Sequence, residues 1–361
     1  SWGIFMGPCY ERGIQVVSDT MTIHPGRHLS PELRQCLGRA GLPCLMTMAR
    51  LHGEPSERAL AAIRGIRDHL LELPDVDLSL LPSLEPEAMA AGIMACNADP
   101  EWRERILRGM TLVALFDGEP DPEALELLDR TARSFQVNAS PVRSYRNVMQ
   151  ERLGMVRLDL VRRSFVRDAA RATLRDGGLP MLAATLKVVS GHRDQATLER
   201  FQALQDYPSG SFGKAYADFI NVNQFNFPGD VGGPPVPVFR HDCCHVLGGY
   251  GTTAAEEGGV VGFQAGFEHL DPFDVVMFAM AEFELGIGAS PFIPGEFGQL
   301  EPNRLFAGLE HGSHVSTDLI RDIDPWDHFA DPLEEVRQRF AIPPRGRNPE
   351  YPQPSADPTQ G

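Results

Sequence analysis

The run Arg240-His241-Asp242-Cys243-Cys244-His245 puts two imidazoles four positions apart. On a helix they lie one turn apart and within about 40° of each other, so both can reach one ion. Asp242, rotated by about 100°, sits at the edge of that face. A closed site needs about four ligands, and this helix should stop at Gly248-Gly249-Tyr250-Gly251. Beyond the stop, Thr253-Ala254-Ala255-Glu256 has the capping-box form, in which the carboxylate returns to the cap's own amide. That occupies Glu256 and leaves Glu257 to point elsewhere. One continuous helix would hold Glu257 about 18 Å from His245. A glycine-rich turn between antiparallel helices removes that distance. The spacing His-Asp-x-x-His, eleven residues, Glu therefore predicts a metal centre of His241, Asp242, His245 and Glu257. Imidazoles and carboxylates suit one divalent zinc, iron, manganese or cobalt ion, and ligand type alone does not choose among them. With an open position such an ion polarises a phenolate or carboxylate; only a redox metal activates oxygen directly.

Cys243 and Cys244 project away from the ligand face and read as small buried hydrophobes. His311 and His314 lie three apart on one helix face and suit a packed or surface role, or a head group. Phe263, Phe267, Phe273, Met277, Phe278, Met280 and Phe283 read as a core stripe or as the wall of an apolar tunnel. Glu282 and Glu284 read as a solvated or core-edge pair. His192 and His269 read as structural.

These residues need helices to position them, and helical periodicity dominates from Pro31 to about Asn138. Within it, residues 48–55 (Met-Ala-Arg-Leu-His-Gly-Glu-Pro) recur at an offset of 65 as residues 113–120 (Val-Ala-Leu-Phe-Asp-Gly-Glu-Pro). Gly53 and Gly118 would end one helix, and Ser56 or Asp121 would cap the next, with Pro122 in its first turn. Two helical hairpins follow. The junctions resemble those of the TerB-like domain of tellurite-resistance and stress proteins, which meet at Ala-Asp-Gly-x-x-x-x-x-Glu. Asp117, Gly118 and Glu123 match the pattern, whereas His52 and Arg58 replace both acids in the first copy. A metal site of that kind would need both acidic pairs, so the junctions read as capping loops.

The whole is an all-α chain of two helical domains. Residues 1–30 form an arm, 31–140 the TerB-like domain, 141–184 a helical linker, 185–343 the metal-binding bundle and 344–361 a mobile Pro-rich tail. With 361 residues, two domains are the ordinary expectation. The formal net charge of −16 repels a polyanion, so nucleic acid is not an expected partner. Six cysteines without a Cys-x-x-Cys pair point to thiols in a reducing cytoplasm. No run of 18 apolar residues reads as a membrane span.

The metal-binding half resembles the Coq-four family of coenzyme Q biosynthesis proteins, which carries the same His-Asp-x-x-His, eleven-residue, Glu pattern. The likeness includes Tyr207-Pro208-Ser209-Gly210-Ser211-Phe212-Gly213-Lys214-Ala215-Tyr216-Ala217-Asp218-Phe219, Trp326, and the stretch from Pro332 to Pro343. It implies a helical bundle in which His241, Asp242, His245 and Glu257 hold the metal, with an apolar tunnel for a polyprenyl chain. The implied activity is oxidative decarboxylation and hydroxylation of a prenylated aromatic ring in ubiquinone or related prenylquinone biosynthesis. Tyr216, Phe263, Arg304, His311 and His314 are the implied substrate contacts. The family's basic run before the motif is reduced here to Arg240, and its cationic late helix to Arg304 and the 310–314 segment. Expected partners are the prenylated aromatic lipid, other quinone-biosynthesis proteins, a second copy of the chain and the inner-membrane surface, reached peripherally from the cytoplasm. Two other functions compete: a non-catalytic prenyl-lipid scaffold, and an HD-type metal phosphohydrolase with His192 and Asp318 as further ligands.

Overall fold

A computed structural model of the chain describes residues 30–118, 120–138, 140–149, 193–234, 238–269, 271–287 and 297–345. The arm before Ser30, the linker from residue 150, His192 and the tail from residue 346 lie outside the described residues. The fold is all-α, as the periodicity predicts, and among the described residues the only β-type pairings are two isolated bridges.

The first helices are α1 (Pro31–Ala49), α2 (Glu57–Gly65, continued as a π-turn Ile66–Leu70), α3 (Pro86–Ala95), α4 (Pro100–Asp117), α5 (Pro122–Phe135) and α6 (Ser140–Met149). The two hairpins of the internal repeat are present as α1–α2 and α4–α5. Ser56 accepts from the Ala59 amide, and Asp121 accepts from the amides of Glu123 and Ala124. Gly53 and Gly118 adopt φ of 120° and 147°, a region that favours glycine, at the two turns. The junctions meet each other, since His52 pairs with Asp121 and Glu123.

The second half comprises α7 (Gln195–Gln202), α8 (Phe212–Val222), α9 (Phe239–Gly248), α10 (Ala254–Phe267), α11 (Pro272–Ala279, continued as a π-turn Met280–Glu284), α12 (Pro302–Gly312) and α13 (Leu333–Arg339). Helices α10 and α12 form its spine. A Cβ at Gly262 would lie 2.1 Å from the Leu305 carbonyl oxygen, and one at Gly308 would lie 2.1 Å from that of Gly259. Only glycine lets the two backbones approach this closely. The 207–219 and 326–343 segments are neighbours: the Phe212 amide donates to Asp331 and the Leu333 amide to Gly210.

The expected division at 141–184 is not a division of the core. One apolar cluster unites residues of α1–α6 with Val261, Phe273, Met280, Phe306 and Leu309; the other joins α7–α9 and α13 to Val260, Phe263 and Phe267. Helix α10 thus feeds both clusters, because it is apolar on two faces, while α12 packs its apolar face into the first. Polar ties cross the same boundary, from Arg58 to Glu284, His69 to Glu310 and Arg108 to Asp271. Glu282 and Glu284 are buried rather than solvated. The aromatic and Met stripe packs as core, distributed over both clusters.

The expectation of free thiols is overturned at Cys36 and Cys96, which form a disulfide between α1 and the end of α3 across 60 positions. Neither residue has a near neighbour in sequence to betray the pair. This bond removes the cysteine argument for a reducing compartment. No helix among the described residues is long and apolar enough to cross a membrane.

Candidate metal centre

Helix α9 carries His241 and His245 on one face and ends where Gly249 turns left-handed at φ 73°. The Tyr250 amide then donates back to the His245 carbonyl, and Thr253 caps α10 by accepting from the Glu256 amide. The expected capping box is half formed. Glu256 does not return to the Thr253 amide. It accepts instead from the Gly251 amide at 3.0 Å and pairs with Arg304 and Arg345, which closes the turn from outside. Burial raises the Glu256 pKa, but Arg345, the Gly251 amide and Arg304 outweigh it and lower it. Arg345, expected in the mobile tail, is fixed by these contacts, by a bond to the Gly249 carbonyl and by stacking over Tyr250.

The reversal brings Glu257 to the histidines. His241 Nε2 and His245 Nε2 lie 3.1 Å apart, and Glu257 Oε2 is 3.4 Å from each. Both Nδ1 atoms face acceptors: the Gly251 carbonyl at 2.9 Å for His245 and Gln264 Oε1 at 3.2 Å for His241. A carbonyl only accepts, so His245 carries its proton on Nδ1 and turns a lone pair on Nε2 toward the triangle. The Gln264 oxygen does the same for His241, while its Nε2 points to Cys244 Sγ. Two facing lone pairs and a carboxylate call for a cation between them. At the 2.0–2.1 Å bond lengths of zinc to nitrogen, tetrahedral ligand atoms are roughly 3.3–3.4 Å apart, which is the size of this triangle. The donor set therefore fits a divalent transition metal.

Without a metal ion, a proton on His241 supplies the positive charge between these groups, and a bound metal would displace it. Burial lowers the His241 pKa, but Glu257, Asp242 and Gln264 outweigh it and raise it to about 9. Burial works the other way on Glu257, yet the two imidazoles hold its carboxyl well below the usual range. His245 is 2% exposed and stacks on Phe219, whereas His241 and Glu257 keep 19% and 18% exposure, so the triangle opens on their side.

The fourth expected ligand, Asp242, is not in the group that meets. Its rotation of about 100° from His241 carries the carboxylate off the ligand face. It stays an electrostatic neighbour, with burial, opposed by His241 and His245, raising its pKa to about 6. Gln264 and Phe219 were not anticipated. Gln264 stands seven residues, two helical turns, beyond Glu257 on the same face, a periodicity that would have revealed it.

The expected substrate contacts separate into three places. Arg304, His311 and His314 line one cavity of about 270 Å³ together with His69, Tyr250 and Arg345. Phe263 is fully buried against Tyr250, Phe267 and His311. Tyr216 is buried among Phe201, Phe239 and Phe329, with its hydroxyl lacking a hydrogen-bond partner. Burial, with the charges of Asp242 and Cys243, pushes its pKa well up. Cys243 and Cys244 are buried thiols, as expected. Asp318, nominated for a phosphohydrolase site, is buried and accepts from the amides of His269, Ile320 and Arg321.

No protein-family model matches the chain, and neither a curated protein nor a solved structure matches it.

Proposed function

We propose that the chain is a metal-dependent enzyme whose ion is held by His241, His245 and Glu257 and whose substrate is a prenylated aromatic acid. The observation that carries the metal reading is the triangle of facing Nε2 and Oε2 atoms, with both Nδ1 positions tied to acceptors. A bound redox-active ion of this donor set would supply Lewis acidity and oxygen activation. The chain's own residues do the positioning. Gln264 and the Gly251 carbonyl hold the imidazole rings, Glu257 offsets the ionic charge, and Phe219 walls the His245 side. The exposed edge at His241 and Glu257 is where a carboxylate or phenolate can approach.

The substrate class rests on the Coq-four resemblance of residues 185–343. In the reaction proposed, the bond from ring carbon to carboxylate breaks, carbon dioxide leaves, and a carbon–oxygen bond forms at the same carbon. One oxygen atom comes from dioxygen; a two-electron reductant and two protons convert the other to water. The lipid would be met at a membrane surface.

The test is anaerobic loading of the purified chain with iron(II), manganese, cobalt or zinc, followed by a prenylated 4-hydroxybenzoate, a reductant and air. Mass spectrometry should show loss of carbon dioxide and gain of one oxygen, abolished in Glu257→Ala. Metal and lipid binding without turnover under any of the four metals would support the scaffold reading instead.

A further inference from the structure

A cavity of about 480 Å³ lies where α1, α2 and α4 meet α11 and α12. Its wall is largely apolar, with Leu45, Ile66, Leu112, Val276, Phe306 and Leu309 among its buried residues. All six belong to the first core cluster, whereas Cys244 and Val246 of α9 and Phe263 of α10, on the helices that carry the metal ligands, belong to the second. Gly41 and Gly109 stand in the wall, where an added Cβ would meet Ile106 at 3.4 Å and Leu45 at 3.1 Å.

The arginines and acids of the lining each have an ion-pair partner. Arg105 pairs with Glu101, and Arg108 with Glu104 and Asp271. Trp102 lies under the Arg105 guanidinium at 4.4 Å. The two arginines and two acids of the lining cancel, and His269, also in the lining, faces Asp318 and Asp322, so a charged head group would have to break an existing ion pair to gain a partner. The volume falls in the range of small-molecule sites, about 300–1,000 Å³.

We infer that this cavity binds a single-chain apolar molecule with an uncharged head, of the long-chain alcohol class, independently of the metal centre. The wall rewards each added methylene by burial, about fourfold in affinity. The balanced rim favours a neutral head over a carboxylate of the same length.

The experiment is a titration of the full chain with 1-octanol, 1-decanol and 1-dodecanol, with 12-bromo-1-dodecanol as a quencher of tryptophan fluorescence. Affinity should rise about 15-fold per two-carbon step, and dodecanoate should bind more weakly than dodecanol. Quenching should fall sharply in Trp102→Phe. Gly41→Leu, which fills part of the cavity, should weaken dodecanol at least tenfold with an unchanged helical circular dichroism spectrum. If Gly41→Leu does not fold, the Trp102→Phe comparison decides alone. Affinity that is flat with chain length, tighter binding of dodecanoate, or quenching unaltered in Trp102→Phe overturns the inference. Metal-depleted protein should give the same affinities, so failure here leaves the metal centre standing.

Discussion

Glu256 and Glu257 are consecutive, yet they face opposite sides of α10's first turn. Glu256 reaches out to the Gly251 amide, Arg304 and Arg345; Glu257 reaches in to His241 and His245. Their substitutions should therefore separate two properties. Glu256→Ala should lower stability by about 1.5–3 kcal/mol, the scale of hydrogen bonds to charged groups, and leave metal stoichiometry intact. Glu257→Ala should abolish metal binding while leaving the Gly251, Arg304 and Arg345 contacts of Glu256 in place, its cost to the metal-free fold being the lost pairing with His241 and His245. Urea denaturation and elemental analysis of both variants check this.

Gln264 holds His241 through Nδ1, so its removal should be felt by the metal and not by the fold. Gln264→Leu should weaken metal binding about 10–100-fold, the usual cost of losing a partner that orients a ligand. Competition against a chelator of known affinity measures it.

His311 is neutral and boxed in, accepting from the Tyr250 hydroxyl at Nδ1 and donating to the Pro343 carbonyl at Nε2. Burial, with nearby Arg345 and His314, lowers its pKa to about 4, although the Pro343 carbonyl opposes this. The unfolded chain, with His near 6.5, binds more protons between those values, so stability should fall as pH drops from about 6.5 to 4. The loss attributable to His311 should be a few kcal/mol. His311→Gln should be less stable at neutral pH but show a flatter profile over that window.

The Cys36–Cys96 bond closes a loop of 60 positions. Its reduction should cost about 2–4 kcal/mol, chiefly by freeing the unfolded chain. Thermal unfolding with and without reductant, with Cys36→Ser/Cys96→Ser as control, should give matching shifts for reduced and double-variant protein.

Local chemistry was readable in the residues, and long-range partnership was not. The His241–His245 pair, the Gly249 stop, the Thr253 cap and the freedom of Glu257 follow from helical angles and capping rules within seventeen residues. The same rules placed the hairpin turns at Gly53 and Gly118. Asp242 was assigned to the centre by proximity in sequence, and one helical step moved it aside. Glu256 found Arg304 and Arg345 rather than its own cap, because two guanidiniums from distant segments compete better than one local amide. The shared core and the Cys36–Cys96 bond depend on which helices meet, which no local period encodes.

The central claim is that His241, His245 and Glu257 hold one metal ion. Elemental analysis of chain purified without chelator tests it most directly. About one equivalent of a divalent transition metal should be present in the unaltered protein and lost in His245→Ala and in Glu257→Ala. Full metal content retained in both variants would contradict it.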